Sequence, residues 1–591
     1  MLQKGAIHLV PPSQETPGFL SSLFLVPRKG GGQRPVANLK PLNQFLSYEH
    51  FKMERIHMVR DLLRKGDFTI KIDLKDAYFT LPLCQEHQKF VRFNWEGILY
   101  EFACLPFSLS IAPRVFTKIM KPVLALLRQL GIRLIIYLDL LIMAHLKEIL
   151  NCHASTTFHL LENLGFTINY LKSVLIPATK MEFLGFLLNS QAMTLALPRD
   201  KVRKVKKECQ SALNHPQITV RELAKVLGNL TSTIQAVFPG PLHFRHLQGD
   251  KNKALAHLHS YDSLVQPFPQ ALEELIWWRD NLDAWNGKSL VSAPPDLIIE
   301  TDASRRGWGA FCMGVATGGQ WSQGESQLHI NCLQLLAVAF PIQTFARPKA
   351  QMKVGLLMDN VSAAHYINRM GGTKSPVLAR LAIDLWEWCL QHKIQVEVQY
   401  LPGVLNIRAD RESRVMLDLH NWKLDPLVFA EVNQLWGPLE VDLFASRLST
   451  QLLHFYSLRQ DPQAEAVDAF SEDWSLVKGY TFPSFALRQV LQKDSRSTGF
   501  LSSSSGTCMA SSAWYPVLLE MCVAPPVLLP QYPGLVTCLA EVHPLSNLQL
   551  ARWLLPSNPT LRREFQKELK TSWLQPEGDL ISLFISLGKV G

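Results

Sequence analysis

The stretch that most constrains this chain is LIIYLDLLIM, residues 134–143, in which two apolar runs flank a single aspartate, Asp139. Short apolar runs around a tight tip predict a buried β-hairpin, and they raise the question of why a carboxylate sits at the turn. Upstream, FTIKIDLKDAYFTLPL sets Phe68, Ile70 and Ile72 in alternation with Thr69 and Lys71, the pattern of a half-buried strand, and Asp73 follows at its end. A second acid therefore stands at a strand terminus. Asp76, three residues on, opens a turn or short helix, where side-chain capping accounts for an aspartate.

The chain has 591 residues, more than one core supports, and a prior of roughly 150 residues per domain predicts three or four units in series. Hydrophobic residues make up 47% and charged residues 19%, a globular balance. The most apolar window, AWYPVLLEMCVAPPVLLPQYPGLV, is interrupted by Glu520 and several prolines, so no membrane span is expected. The opening MLQKGAIHLVPPSQ lacks the apolar core of a signal peptide, and the expected location is cytoplasmic or nuclear. Ten cysteines are scattered without a C-x-x-C pair, which argues against a zinc site or a disulfide framework. The net charge is +10, and KVRKVKKE, residues 201–208, concentrates five cations. Such a run suits a nucleic-acid partner, although runs of this kind are more often solvated helix faces.

Strand and helix patterns alternate over residues 1–190, with the loop VPRKGGGQRPV joining two early segments. Residues 191–290 turn helical, and Leu223, Val226, Leu227 and Leu230 form a stripe that predicts core packing. A strand-rich α/β block follows over residues 291–415, then a block with Trp and Phe over 416–494. Residues 495–591 read as a flexible linker, SRSTGFLSSSSGTCMASS, and a C-terminal tail with a helix opened by Asn558 and Pro559.

Two strand-end acids, with LPFSLSIAPRVFTKIM between them and the basic RKGGGQRPV upstream, are the parts of a Mg²⁺-dependent nucleotidyl-transfer site. Magnesium takes hard anionic oxygens and keeps positions for phosphate and water, so one or two carboxylates per ion suffice. Two ions would activate the attacking hydroxyl and stabilise the leaving pyrophosphate. KIDLKDAYF, LPFSLSIAPRVFTKIM, YLDLLIM and MEFLGF stand in the order and at the spacing of the palm of a reverse transcriptase. Their wording most resembles the DIRS class of retrotransposons, whose elements use a tyrosine recombinase in place of an integrase. The resemblance implies a right-hand polymerase of fingers, palm and thumb, with Asp73 and Asp139 as catalytic metal ligands. It implies Tyr78 as the aromatic that excludes a 2′-hydroxyl, and Lys29 and Arg34 as fingers cations holding the incoming triphosphate. Phe183, Leu184 and Gly185 resemble the primer-gripping hairpin, and Lys172 the basic residue that often precedes it.

The resemblance breaks at the hairpin tip, where the family has Tyr-x-Asp-Asp and this chain has Tyr137, Leu138, Asp139 and Leu140. A substitution at Leu140 would keep the hairpin register and remove one charge. A deletion of one aspartate would shorten the turn, and the following strand would have to flip its faces or rebuild the turn. A second departure is Ser108, where relatives have glycine in LPFGLS.

The block over 291–415 carries a second set of acids. LIIETDASRRGWGAF places Asp302 in a strand, VGLLMDNVSAAHYINR places Asp359 at the end of another, and YLPGVLNIRADRESR offers Asn406 and Asp410. Their order and spacing resemble ribonuclease H of the same retrotransposons, in which four carboxylates hold two Mg²⁺ ions. Asp302, Asp359 and Asp410 match three of them, and Gln334 in HINCLQLLAV stands where the family has glutamate. An amide supplies no charge to offset a divalent ion, so cleavage should fall sharply while the fold survives. Glu300, two residues before Asp302, is the nearest spare acid and reaches the site only by rearrangement.

VDLFAS, with Asp442, resembles the stretch that holds S-adenosylmethionine in the adenine-N6 methyltransferase-like segment of DIRS elements. FPSF gives only Pro483, Ser484 and Phe485 for that family's base-gripping loop, so S-adenosylmethionine is not expected as a cofactor. The expected architecture is a multidomain α+β chain, a right-hand polymerase followed by an α/β ribonuclease H-like domain. The expected function is RNA-directed DNA synthesis with ribonuclease H activity, weakened by the lost carboxylates, with two Mg²⁺ per active site. The alternative is a nucleic-acid-binding remnant without catalysis. The implied partners are an RNA template, a DNA primer, RNA/DNA hybrid and dNTPs, with no membrane.

Overall fold

The computed structural model describes the chain except residues 12–15, 28–32, 48, 348–350, 416–421, 475–476, 483–498, 505–517, 519, 525–526, 539–540, 543–549, 556–559, 561 and 568–591. It divides into two compact units, Met1–Ser292 and Ala293–Gly591. Both mix helices and sheets, giving the multidomain α+β class expected. Among the described residues no helix is long and apolar enough to cross a membrane.

The first unit is built on strand β1 (Phe68–Ile72), helix α1 (Ala112–Gln129), the hairpin β2 (Arg133–Ile136) and β3 (Leu140–Ala144), and β4 (Val174–Ala178). The sheet order is β4-β1-β3-β2, with β3 antiparallel to both β1 and β2. Ile70, Ile72, Leu134, Ile136, Leu140 and Ile142 pack with Phe116, Met120 and Leu127 of α1, while Ile135, Leu141 and Met143 join a second core with Phe183 and Leu223. A sheet covered on both faces needs apolar residues at every position, which is why the hairpin shows no alternation. Covering also overturns the half-buried reading of β1: Thr69 is buried, and its hydroxyl donates to the Ala178 carbonyl at 2.9 Å.

Beyond this sheet, β5 (Lys180–Phe183) and β6 (Phe186–Asn189) form a second hairpin, followed by α2 (Arg199–Leu213), α3 (Val220–Thr231) and α4 (Pro269–Trp285). Thr219 opens α3 with a capping box to Glu222, and Leu223, Val226, Leu227 and Leu230 are buried in the second core, as the stripe requires. Asp76 does not cap through its side chain: it precedes a short 3₁₀ turn with φ 52°, and its carboxylate takes the Lys4 ammonium at 2.5 Å.

The second unit opens with β7 (Leu297–Ala303), β8 (Gly307–Cys312), β9 (Val315–Gln320), α5 (Ile330–Phe345), β10 (Lys353–Met358), β11 (Gln395–Tyr400) and α6 (Ile407–Arg414). The sheet order is β9-β8-β7-β10-β11, antiparallel through β7 to β9 and parallel across β7, β10 and β11. Gly309 lets α6 lie directly on β8, since a Cβ there would fall 2.3 Å from the Ala409 carbonyl oxygen and the Ser413 nitrogen.

A seven-stranded sheet follows: β12 (Val441–Asp442), β13 (His454–Ser457), β14 (Ala466–Val467), β15 (Gly479–Thr481), β16 (Gly499–Ser504), β17 (Val527–Leu528) and β18 (Leu550–Leu555), in the order β14-β13-β12-β15-β16-β18-β17. This corrects the domain reading. Gly499–Ser504, expected in a flexible linker, is a strand paired to β15 and β18, so the block begun near residue 416 continues past 494 to residue 555. Serines alternate poorly with apolar residues there, and the pairing comes from backbone groups that composition does not reveal. The start of the helix placed at Asn558 and Pro559 lies outside the described residues, although 562–567 are helical.

Candidate active sites

In the first unit the hairpin tip has three residues, Tyr137, Leu138 and Asp139, because Leu140 pairs with Ile136 across β2 and with Ile72 across β1. The Tyr137 N–H donates to the Asp139 carbonyl at 3.2 Å. Asp73 follows the last residue of β1, so the register brings the two acids to the same end of the sheet. Burial first, and then the Asp73 charge, push the Asp139 carboxyl above its usual range, against the pull of Lys71 and Lys172. Asn169 fixes Asp73 from both sides, its Nδ2 donating to Oδ1 at 2.9 Å and its N–H to the Asp73 carbonyl at 2.8 Å. The hairpin itself is pinned by Glu54, which accepts from the Ile136 N–H at 2.9 Å and from Arg128 at 2.6 Å. Neither Asn169 nor Glu54 was legible as a site residue, because each acts through a partner 82 or 96 positions away.

Tyr78 is buried, with Phe107 and Phe116 at ring centroid distances of 5.0 and 5.5 Å, and burial raises the pKa of its hydroxyl. The loop bearing Ser108 is clamped by Asn43, whose Nδ2 donates to the Ser108 carbonyl at 3.0 Å and whose Oδ1 accepts from the Ser110 N–H at 2.8 Å. Ser108 is not among the residues with positive φ, so its backbone suits any L residue. A groove of about 590 Å³ beside the tip is lined by Lys52, Arg55, His57, Lys121 and Tyr137 among others.

Phe183 ends β5 fully buried, and Leu184 and Gly185 make a two-residue tip with φ of 51° and 74°. Lys201 of α2 lies over the Phe186 ring, 4.7 Å from its centroid. Along α2, Val202 and Val205 face the core, Arg203, Lys204 and Lys207 are exposed, and Lys206 pairs with Asp283 at 2.5 Å. Lys29 and the side chain of Arg34 lie outside the described residues.

In the second unit β7 carries Asp302, α5 carries Gln334, Asp359 follows β10, and α6 carries Asp410. Gln334 is buried, and its Nε2 donates to Asp302 Oδ1 at 2.9 Å and to the Ala303 carbonyl at 3.2 Å. Its Oε1 has no partner. Asp302 also accepts from the Ser413 hydroxyl at 3.2 Å, and burial chiefly, with Asp359 adding, raises its pKa against those hydrogen bonds. Asp410 is taken by Arg414, whose guanidinium donates to Oδ1 at 2.5 and 2.9 Å. Glu300 is held by Arg408, which lies over the Phe311 ring at 3.9 Å. Asn406 ties the start of α6 to β7 through the Thr301 carbonyl at 2.9 Å.

The two sites differ in their fitness for a divalent ion. At the hairpin tip the two carboxylates lie close enough for the Asp73 charge to act on Asp139, with Lys71 and Lys172 also acting on it, and this donor set suits Mg²⁺ completed by phosphate and water. Around Asp302 an amide N–H points at the carboxylate oxygen and an arginine occupies Asp410, which does not fit a two-ion cluster. Among the described residues no group of three or more His, Cys, Asp or Glu gathers around a common point.

Residues 26–188 match the family model described as reverse transcriptase (RNA-dependent DNA polymerase). An enzymatic polyprotein of Figwort mosaic virus (strain DxS) is 24% identical over 439 residues, covering 68% of this chain and 59% of the relative. The Transposon Tf2-7 polyprotein of Schizosaccharomyces pombe is 20% identical over 420 residues, covering 67% of this chain and 29% of the relative. The chain thus spans 29% to 59% of the length of these relatives. Among solved structures, a foamy viral protease-reverse transcriptase in complex with dsDNA aligns with a TM-score of 0.43 at 16% identity, over 68% of this chain and 81% of the other. Over residues 26–188, where the paired acids sit at the end of the hairpin sheet, the chain carries a reverse transcriptase domain of the kind found in viral and retrotransposon polyproteins.

Proposed function

We propose that this chain comes from a DIRS-type retrotransposon and performs weakened RNA-directed DNA synthesis with Asp73 and Asp139, while its ribonuclease H-like site binds hybrid without cutting it. The observation that carries the reading is the register that sets the two acids together at the end of a sheet, beside a groove lined by cations. Mg²⁺ held there would lower the pKa of the primer 3′-hydroxyl and offset charge on the leaving pyrophosphate. Asp73 and Asp139 would hold the ion, with Asn169 keeping Asp73 in one rotamer. Tyr78 and the Phe107 ring would floor the sugar pocket, and the groove cations would take template phosphates. The partners are an RNA template, a DNA primer, their hybrid and dNTPs.

The second reading, a nucleic-acid-binding remnant without catalysis, is favoured at the ribonuclease H-like site by the Gln334 amide on Asp302. Primer extension on an RNA template with Mg²⁺, and then Mn²⁺, separates the two. Extension that disappears in Asp73→Asn supports synthesis by this chain. No extension from the unaltered chain, with hybrid bound equally by Asp73→Asn, supports the remnant.

A further inference from the structure

Arg447 stands in the turn that follows β12, yet its side chain is only 8% exposed. The fold that precedes β12 takes up its guanidinium. Nη1 and Nη2 donate to the two Glu325 carboxylate oxygens at 3.1 and 2.9 Å, and Nη2 also donates to the Gln320 carbonyl at the end of β9, at 2.6 Å. The same group lies over the Phe340 ring of α5, 4.7 Å from its centroid. A forked pair to one carboxylate combined with stacking on a ring is a set of contacts that lysine cannot make. Glu325 is held in place from its own side, because it completes a capping box with Ser322.

The loop after β13 extends this seam. The buried Thr317 hydroxyl of β9 donates to the Gln460 carbonyl at 2.5 Å, and Arg459 donates to Glu412 of α6 at 3.1 Å. The Arg447 N–H donates to Asp461 at 3.1 Å, so the two loops of the block are tied to each other as well as to the fold before them. β9 is the edge of its five-stranded sheet, a position that gains from cover. Glu412 lies on the helix that carries Asp410 and that brings the Ser413 hydroxyl to Asp302, so the seam bears on the element that delivers both.

Domains strung along one chain move against each other by default, and exposed ion pairs between them contribute too little to prevent it. Arg447 makes a different kind of contact. The Phe340 ring beneath it packs on Trp308 and Trp321, so a side chain of the block closes the aromatic core of the fold before it, and parting the two opens that core. We propose that the block begun at β12 is a brace in cis for the ribonuclease H-like fold: Arg447 and Arg459 join the two into one cooperative unit, and the fold that carries Asp302 and Asp410 does not open independently of the block. This role needs no methyl transfer, and it rests neither on the polymerase reading nor on binding of hybrid.

The test is hydrogen exchange of the full chain followed by mass spectrometry, under conditions where each amide reports its opening equilibrium. The probes are β10, in the interior of the five-stranded sheet, and β18, in the interior of the seven-stranded one. In the unaltered chain their most protected amides should share one opening equilibrium to within about threefold. Arg447→Ala, which uncovers Phe340 and leaves Glu325 without its cation, should speed exchange in both strands by the same factor, at least about tenfold. Parent-like protection of β10 in Arg447→Ala, with faster exchange confined to the seam, would overturn the proposal. If Arg447→Ala does not fold, the unaltered chain carries the test, and opening equilibria for β10 and β18 that differ by more than about tenfold would overturn it equally.

Discussion

Leu140 is wholly buried between Ile72 and Ile136, in the strand that leaves the tip. Its side chain points into the same core as Ile142, so an aspartate there would lie under the sheet and away from Asp73. Leu140→Asp should therefore cost roughly 4 kcal/mol or more, read as a loss in urea midpoint, because it combines a lost core leucine with a buried charge. Inserting Asp after Asp139 lengthens the half-buried tip without placing a charge in the core, and should leave stability within about 1 kcal/mol while bringing primer extension up. Equal stability of both variants would sink this register argument. Asp442 carries the pH dependence: burial pushes its carboxyl up to about 7, against an ordinary value near 3.8. An acid whose folded pKa is raised binds more protons folded than unfolded, so its contribution to stability is retained below about pH 4 and lost as pH rises towards 7. Asp442→Asn should raise the melting temperature at pH 7 and leave it nearly unchanged at pH 4. The cost of keeping this acid buried is then visible as stability regained when it is removed.

Among the elements, the tip of the β5–β6 hairpin holds Leu184 at φ 51° next to Gly185 at 74°, and both residues must be left-handed for a two-residue turn of this hand. Leucine bears a steric penalty there that asparagine largely avoids. Leu184 also packs, half-buried, against the second core, so Leu184→Asn trades relief of the turn for lost burial and should shift the unfolding midpoint of the first unit by less than about 1 kcal/mol, whereas a loss above about 2 kcal/mol would show that packing rather than the turn dominates there. Helix α6 shows the opposite economy. Gly309 admits it onto β8, Asn406 ties its start to β7, and Asp410 is thereby placed on the helix that also delivers Ser413 to Asp302. The motif letters ADRESR announced Asp410 and, four residues on, Arg414, but they did not announce that the two would pair with each other. The alternation of polar and apolar letters likewise misjudged β1, because burial of Thr69 follows from β4 lying beside it, a contact 109 residues distant.

At the scale of the molecule, the chain carries a +10 net charge, and α2 presents an exposed basic row in which Arg203 and Lys204 are 79% and 61% exposed at the side chain. Binding of RNA/DNA hybrid should weaken linearly in log–log plots against salt, and removing Arg203 and Lys207 together should lower the slope by roughly 1–2. An unchanged slope would show that this face meets no phosphate. The sequence by itself determined the hairpin, the strand that delivers Asp73, the apolar stripe of α3 and the presence of a reverse transcriptase domain, since each is written in residues close along the chain. Local hydrophobic period and turn chemistry act over a few residues, and they survive in the letters. Only the tertiary structure decided that Leu140 faces the core, that the Gln334 amide meets Asp302, and that a serine-rich segment completes a seven-stranded sheet around Asp442. Those outcomes depend on which backbone lies alongside which, and cross-strand register and burial are set by partners far away in sequence.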